Sequence, residues 1–449
     1  MKNMTEGSPW KLIILFTIPL ICGNILQQLY NIGDAKIVSE YIDEFAFAAV
    51  GMTAVVSNTL NGLIGGFTQG FGILVANSFG ANDMKRLKRS IAGSVLLTLL
   101  LITVLTTLGL LFIRPILIAL NTPDEILPQA LSYVRIIICG IFFTASYNLL
   151  ANVLRSLGDS KTPLFFLILS VILNLGLDYI FVRIMNWGIN GAAYATVLSQ
   201  TICTAACLIY VFKRYRHIIP DKSDWKHASR MLAELFTTGL SMGLMGCIVN
   251  IGTIILQGAI NGLGPDIMAA HVAGRRVLDL LMIMIFTFGF SMTTYVSQNV
   301  GAGRIDRVKQ GVKAATITVT VISLTLVLIC LLISRPVVTW IASTDNVDII
   351  NNGVMYCRTG VFFFVALGPL FVLRCTLQGL GHKIIPLYSS AMELSVKVLS
   401  ASLLVPAIGY FGVALTEPIS WVLMTTTLFF MYMYYIKKEV AVRNSRALQ

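Results

Sequence analysis

Residues Pro163–Val182 read PLFFLILSVILNLGLDYIFV, an apolar run of membrane length interrupted by Asn174 and Asp178. A carboxylate near the middle of such a run raises the free energy of insertion by about 2.5–3.5 kcal/mol. Asn174 and Asp178 stand four apart, so on a helix they share one face. An amide paired with an acid at that depth suits a cation or proton site. The competing reading is a buried polar pair that helps helices pack. Asp178 lies about 15 residues from Pro163, roughly 22 Å at ~1.5 Å per residue, which places it in the outer half of its span.

The rest of the chain has the same character. Hydrophobic residues make up 56% of the 449 residues and charged ones 12%. A soluble domain carries about 25% charged residues, so the composition predicts an all-α integral membrane protein. At about 20 residues per span, the length allows about twelve. The apolar runs fall at 12–38, 45–78, 90–113, 127–152, 163–184, 188–213, 232–262, 267–299, 311–333, 350–378, 384–406 and 409–436. The first run passes without a cleavage site into Gln27, Gln28 and Asp34, so it reads as a retained span.

The net charge of +12 does not point to nucleic acid, because Lys and Arg concentrate in short loops between apolar runs. Lys85–Arg89, Arg155 and Lys161, Lys213–Arg230, Arg304–Lys313, Arg374 and Lys383, and Lys437–Arg446 fall on one side. Glu40, Asp43, Glu44, Asp124, Glu125, Asp266, Asp345 and Asp348 fall on the other. The positive-inside rule then predicts a multi-pass protein of the cytoplasmic membrane, in contact with its lipids, with both termini in the cytoplasm. The eight Cys lie almost wholly in apolar segments without a CxxC, as small core residues do.

The two halves repeat. Ala76–Ala81 matches Ser297–Ala302, and Arg114 with Pro115 matches Arg335 with Pro336, both at an offset of 221. Leu154, Gly158 and Pro163 match Leu377, Gly381 and Pro386 at 223, and Gly191 and Ala193 match Gly412 and Ala414 at 221. Six spans per half make both halves enter from the same side, as parallel repeats. The expected domains are a six-helix lobe at 1–213, a polar linker at 214–231, and a second six-helix lobe at 232–449.

Taken together, these motifs resemble the multidrug and toxic compound extrusion (MATE) family over nearly the whole chain. The resemblance rests on Gln27–Asp34 (QQLYNIGD), Gly80–Asp83 (GAND), Leu154–Pro163 (LRSLGDSKTP), Asn174 with Asp178, and Gly191–Thr196 (GAAYAT). The second half adds Gly301–Arg304 (GAGR), Gln378–Pro386 (QGLGHKIIP) and Glu417–Trp421 (EPISW). It implies two lobes forming a V and an antiporter that exports small organic compounds against an inward flow of Na⁺ or H⁺. In one branch the coupling site uses an acid of the first helix, an Asn and an Asp one turn apart on the fifth, and a Thr on the sixth. Asp34, Asn174, Asp178 and Thr196 match those positions. Another branch uses carboxylates of the second lobe, where Asp279, Glu393 and Glu417 stand.

The chain also departs from the family pattern. Val38–Phe45 is more acidic than the usual turn, and Lys36 lies near Asp34. Arg275, Arg276 and Lys397 interrupt apolar runs of the second lobe. The spacings Arg275–Asp279 and Glu393–Lys397 read as i,i+4 ion pairs or as a cavity wall that touches substrate. These basic residues point away from a purely cationic substrate.

Asp34, Asn174, Asp178 and Thr196 offer oxygens at one depth, a set that suits Na⁺, while burial of a carboxyl suits H⁺. The sequence leaves the choice between the ions open. No cofactor is expected, and a monomer is the expected state. No HExxH or metal-ligand cluster occurs, so no enzyme is expected. The rival reading within transport is a flippase of lipid-linked glycans, which typically carries more than twelve helices.

Overall fold

The computed structural model describes residues 3–42, 44–120 and 122–447, with no side chains described at 31, 32, 34–39, 44, 47 and 442–447. Asp34, Lys36, Asp43, Glu44, Arg443 and Arg446, all used in the sequence reading, have side chains outside the described residues. Every regular element described is helical. The first half runs α1 (Pro9–Tyr41), α2 (Glu44–Gly80), α3 (Met84–Ala119), α4 (Leu127–Ser156), α5 (Lys161–Asp178) and α6 (Gly188–Arg214). A short α7 (Lys222–His227) follows. The second half runs α8 (Ser229–Asn261), α9 (Pro265–Gly301), α10 (Ile305–Ala342), α11 (Val347–Phe362), α12 (Phe364–Gly379), α13 (Ile384–Leu399), α14 (Val405–Ile408) and α15 (Tyr410–Ala447).

Among the described residues, eleven helical stretches are long and apolar enough to cross a membrane; α11 and α12, bent by 51° at Phe363, make the twelfth as a pair. The chain is a multi-pass membrane protein of this helical class.

The repeat extends to the turns. Gly158 takes φ +82 and Gly381 takes φ +91, a left-handed conformation that glycine adopts without a Cβ clash. Each closes the same helix end: Asp159 donates its backbone N–H to Leu154 O at 3.0 Å, and His382 to Leu377 O at 3.1 Å. After α2, Asp83 N donates to Ser78 O at 3.1 Å; after α9, Arg304 N donates to Asn299 O at 2.8 Å. The fifth span of each half loses α-helical geometry at its far end. A π-helical turn covers Tyr179–Ile184 after α5 and Ser400–Leu404 after α13. Such widened turns recur at functional sites.

The chain forms two compact units, one of residues 1–3 and 18–243 and one of 4–17 and 244–449. In the first, Gly66 and Gly70 of α2 face Gly243 and Gly239 of α8. A Cβ on Gly70 would lie 2.7 Å from Gly239 Cα, so small residues set this approach. Gly62 and Gly65, grouped with them in sequence, face open space.

The polar 214–231 stretch folds onto the first unit. Asp221 and Asp224 form a reciprocal cap on α7. Lys88 reaches Asp221 at 2.7 Å, Arg89 reaches Asp224 at 3.9 Å and Arg86 reaches Glu234 at 3.7 Å. Tyr215 donates to Asp159 at 2.7 Å, and burial together with that carboxylate pushes its phenol pKa up.

In the second unit, Met4 is buried and donates its backbone N–H to Gln298 Oε1 at 3.0 Å. Arg304 donates to Thr5 O at 2.8 Å and Arg307 to Gly7 O at 2.9 Å.

Candidate functional site

The first-unit site is built on α5 and α6. Ser170, Asn174 and Asp178 fall on the buried face of α5, with Asn174 1% and Asp178 0% exposed. The chain turns back through Asn186 (φ +53) and Gly188 (φ +58). Gly191 then lets α6 lie against the π turn, where a Cβ would stand 3.1 Å from the Phe181 carbonyl.

Thr196 follows on the half-buried face of α6. It donates its hydroxyl to Ala192 O at 3.0 Å and accepts from Asn174 Nδ2 at 3.4 Å. Asn174 Oδ1 has no hydrogen-bond partner among the described residues. A buried amide oxygen left in that state is a ready ligand for a cation or a proton-bearing group. Gln200 donates to Ser170 Oγ at 3.2 Å and extends the polar line along the same two helices.

The α1 stretch that carries Asp34 runs alongside α5. A Cβ on Gly33 would lie 3.3 Å from Leu175 Cδ2, and one on Gly23 would lie 3.4 Å from Leu167 Cδ2. The end of α1 meets the π turn after α5 through aromatics: the Tyr41 and Tyr179 rings are 6.4 Å apart edge to face, with Arg183 5.2 Å over the Tyr41 ring. Asn174 and Thr196 thus meet between α5 and α6, with Asp178 one turn on along the same buried face of α5, and the Asp34 side chain lies outside the described residues.

The second unit holds a chain of six charges. Arg275 of α9 donates Nε to Asp279 at 2.8 Å and Nη1 to Glu417 of α15. Lys397 of α13 stands 4.0 Å from Glu417 and 3.0 Å from Glu393. Arg374 of α12 stands 3.9 Å from Glu393. Three bases and three acids alternate, so the formal charges cancel. Asp279 is the exposed end, with half its side chain accessible, whereas Lys397 and Arg374 are buried. Lys397 also donates to Thr253 Oγ1 of α8 at 3.1 Å. Arg276 is exposed and makes none of these ion pairs. His271 is buried against Tyr356 and accepts or donates one bond with Tyr410 at 3.4 Å.

The structure brings Arg275, Asp279, Glu393, Lys397 and Glu417 together and leaves Arg276 out. Sequence reasoning counted Arg374 among the loop charges; the structure buries it in the charge chain. The usable signal was its position five residues inside the helix end at Gly379. Thr253 was not singled out.

A family model described as MatE matches residues 19–180 and 242–403. The chain is 29% identical over 308 residues to "Probable multidrug resistance protein YpnP" of Bacillus subtilis, covering 68% of each. It is 24% identical over 387 residues to "Probable multidrug resistance protein NorM" of Thermotoga maritima, covering 84% of this chain and 81% of that one. Among solved structures, a MATE crystallised in the bent conformation aligns with a TM-score of 0.92 at 23% identity, covering 98% of both chains.

Proposed function

Since the chain belongs to the MatE family of membrane transporters, we propose that it is a secondary antiporter that exports amphipathic organic compounds, driven by an inward Na⁺ or H⁺ gradient. The relatives carry multidrug-resistance names, which supports the substrate class. One observation carries the coupling reading. Asp178, with no exposed surface, sits one helical turn from Asn174, whose amide meets Thr196. The neighbouring basic loops favour an orientation with both termini in the cytoplasm.

In this reading Asp178 is the essential carboxylate, Asp34 its partner, and Asn174 and Thr196 neutral oxygen donors. Binding of the cation neutralises the seam between α5 and α6 and lets the π turn repack. Release restores the charge and the affinity for substrate. Coupling requires different cation affinities in two states, and a site that binds equally in both shifts nothing. A π turn directly after Asp178 supplies backbone able to change between two packings.

The test is gradient-driven dye export by vesicles carrying Asp178→Asn. Export under a Na⁺ gradient and under a pH gradient, measured separately, is expected to fall to background while the protein remains folded. Wild-type rates would move the coupling to Asp279, Glu393 or Glu417.

A further inference from the structure

Three of the four polar positions of the first unit recur on equivalent helices of the second, filled with different residues, while Asp178 falls opposite Ala401. Asn31–Asp34 of α1 reads NIGD, and Asn250–Thr253 of α8 reads NIGT, an offset of 219 that sets Thr253 opposite Asp34. Aligning α5 on α13 through Pro163 and Pro386, at 223, sets Lys397 opposite Asn174. Aligning α6 on α15 through Gly191 and Gly412, at 221, sets Glu417 opposite Thr196. Burial follows the pairing. Pro163, Phe166 and Asn174 are buried, and so are Pro386, Ser389 and Lys397. Both α5 and α13 run into a π turn, and Gly188 and Gly409 open α6 and α15 with φ +58 and +62.

The partners of Lys397 are those a bound cation would have. Its ammonium lies 3.0 Å from Glu393 Oε1, 3.1 Å from Thr253 Oγ1 and 4.0 Å from Glu417 Oε1, at 1% exposure. A primary ammonium carries three N–H donors and one positive charge. Glu393 and Thr253 accept two of the hydrogen bonds and the Glu417 carboxylate adds a second negative charge 4.0 Å away, an oxygen set of the kind that a dehydrated monovalent ion takes. Its aliphatic stem lies against α8, where a Cβ on Gly252 would stand 2.9 Å from Lys397 Cδ.

We propose that Lys397 is a tethered cation. Its ammonium fills, in the second unit, the place that the travelling ion takes in the first. Being covalently held, it cannot be released, so this half stays neutralised throughout the cycle. Without the ammonium, Glu393, Glu417 and Thr253 form a latent site for a small monovalent cation. The assignment rests on the coupling reading of Asn174, Asp178 and Thr196 only for what the ammonium stands in for.

The test uses the purified full chain in detergent and compares Asp178→Asn with the double variant Asp178→Asn, Lys397→Ala. Thermal unfolding is followed in equal concentrations of tetramethylammonium, methylammonium and sodium chloride. Tetramethylammonium has the charge but no N–H donor and a larger radius. The double variant is expected to unfold several degrees lower in tetramethylammonium and to regain most of that loss in methylammonium or sodium. Any response that Asp178→Asn shows alone is subtracted. A double variant that aggregates is purified in parallel in all three salts, and recovery only in methylammonium or sodium is the same positive result. Equal midpoints in the three salts, or aggregation in all of them, overturns the proposal. A failure of the coupling reading appears instead as retained export in Asp178→Asn, which leaves this comparison intact.

Discussion

Thr196 spends its hydroxyl hydrogen on Ala192 O, which turns its lone pairs toward Asn174. Thr196→Val keeps the branched shape and removes the oxygen. A lost hydrogen bond in a buried polar site is worth about 1–1.5 kcal/mol, roughly a tenfold change in affinity. The cation concentration that half-saturates export should therefore rise by about tenfold in Thr196→Val and stay near wild type in Thr196→Ser. A Na⁺ and a pH titration of export measure this, and an unchanged midpoint in both removes Thr196 from the site. At this scale the sequence was legible where a strong polar group broke an apolar run, as at Asn174, Asp178 and Lys397. It was silent where a residue had an ordinary alternative. Thr253 also bonds its own helix, to Val249 O at 3.1 Å, as membrane threonines commonly do. Arg374 lies near enough to a basic loop to read as part of it.

At the scale of the element, the glycines of α2 separate into two kinds. Gly70 faces backbone that cannot yield, with Gly239 Cα 2.7 Å from the position of a Cβ, whereas Gly62 has nothing within 4 Å. Gly70→Ala is expected to lower stability by about 1–3 kcal/mol through overpacking. Gly62→Ala should be neutral or slightly stabilising, because it restricts the unfolded chain. Unfolding midpoints in detergent compare the two, and equal losses would mean that helix propensity rather than contact sets the effect. The apolar runs located the spans because hydropathy records burial in lipid. They missed the ends of α10, read as 311–333 and found at Ile305–Ala342, because a helix continues into polar residues beyond the hydrocarbon. The bend of the tenth span falls at Phe363, six residues before Pro369. The π turns carry no sequence mark, since they arise from how α5 meets α6 and α13 meets α15.

At the scale of the whole molecule, loop charge predicts the orientation. In a cysteine-free background, Glu125→Cys between α3 and α4 should react with an impermeant maleimide in intact cells. Ser223→Cys on α7 should react only after permeabilisation. The reverse pattern would invert the assignment. The segment Met4–Thr17 belongs to the second unit, and its bond to Gln298 spans 294 residues of chain. At a synthesis rate of roughly 5–20 residues per second, that partner leaves the ribosome on the order of 15–60 s after Met4 does. Residues 4–17 are therefore made well before the segment they pack on, and they find their place only after it emerges.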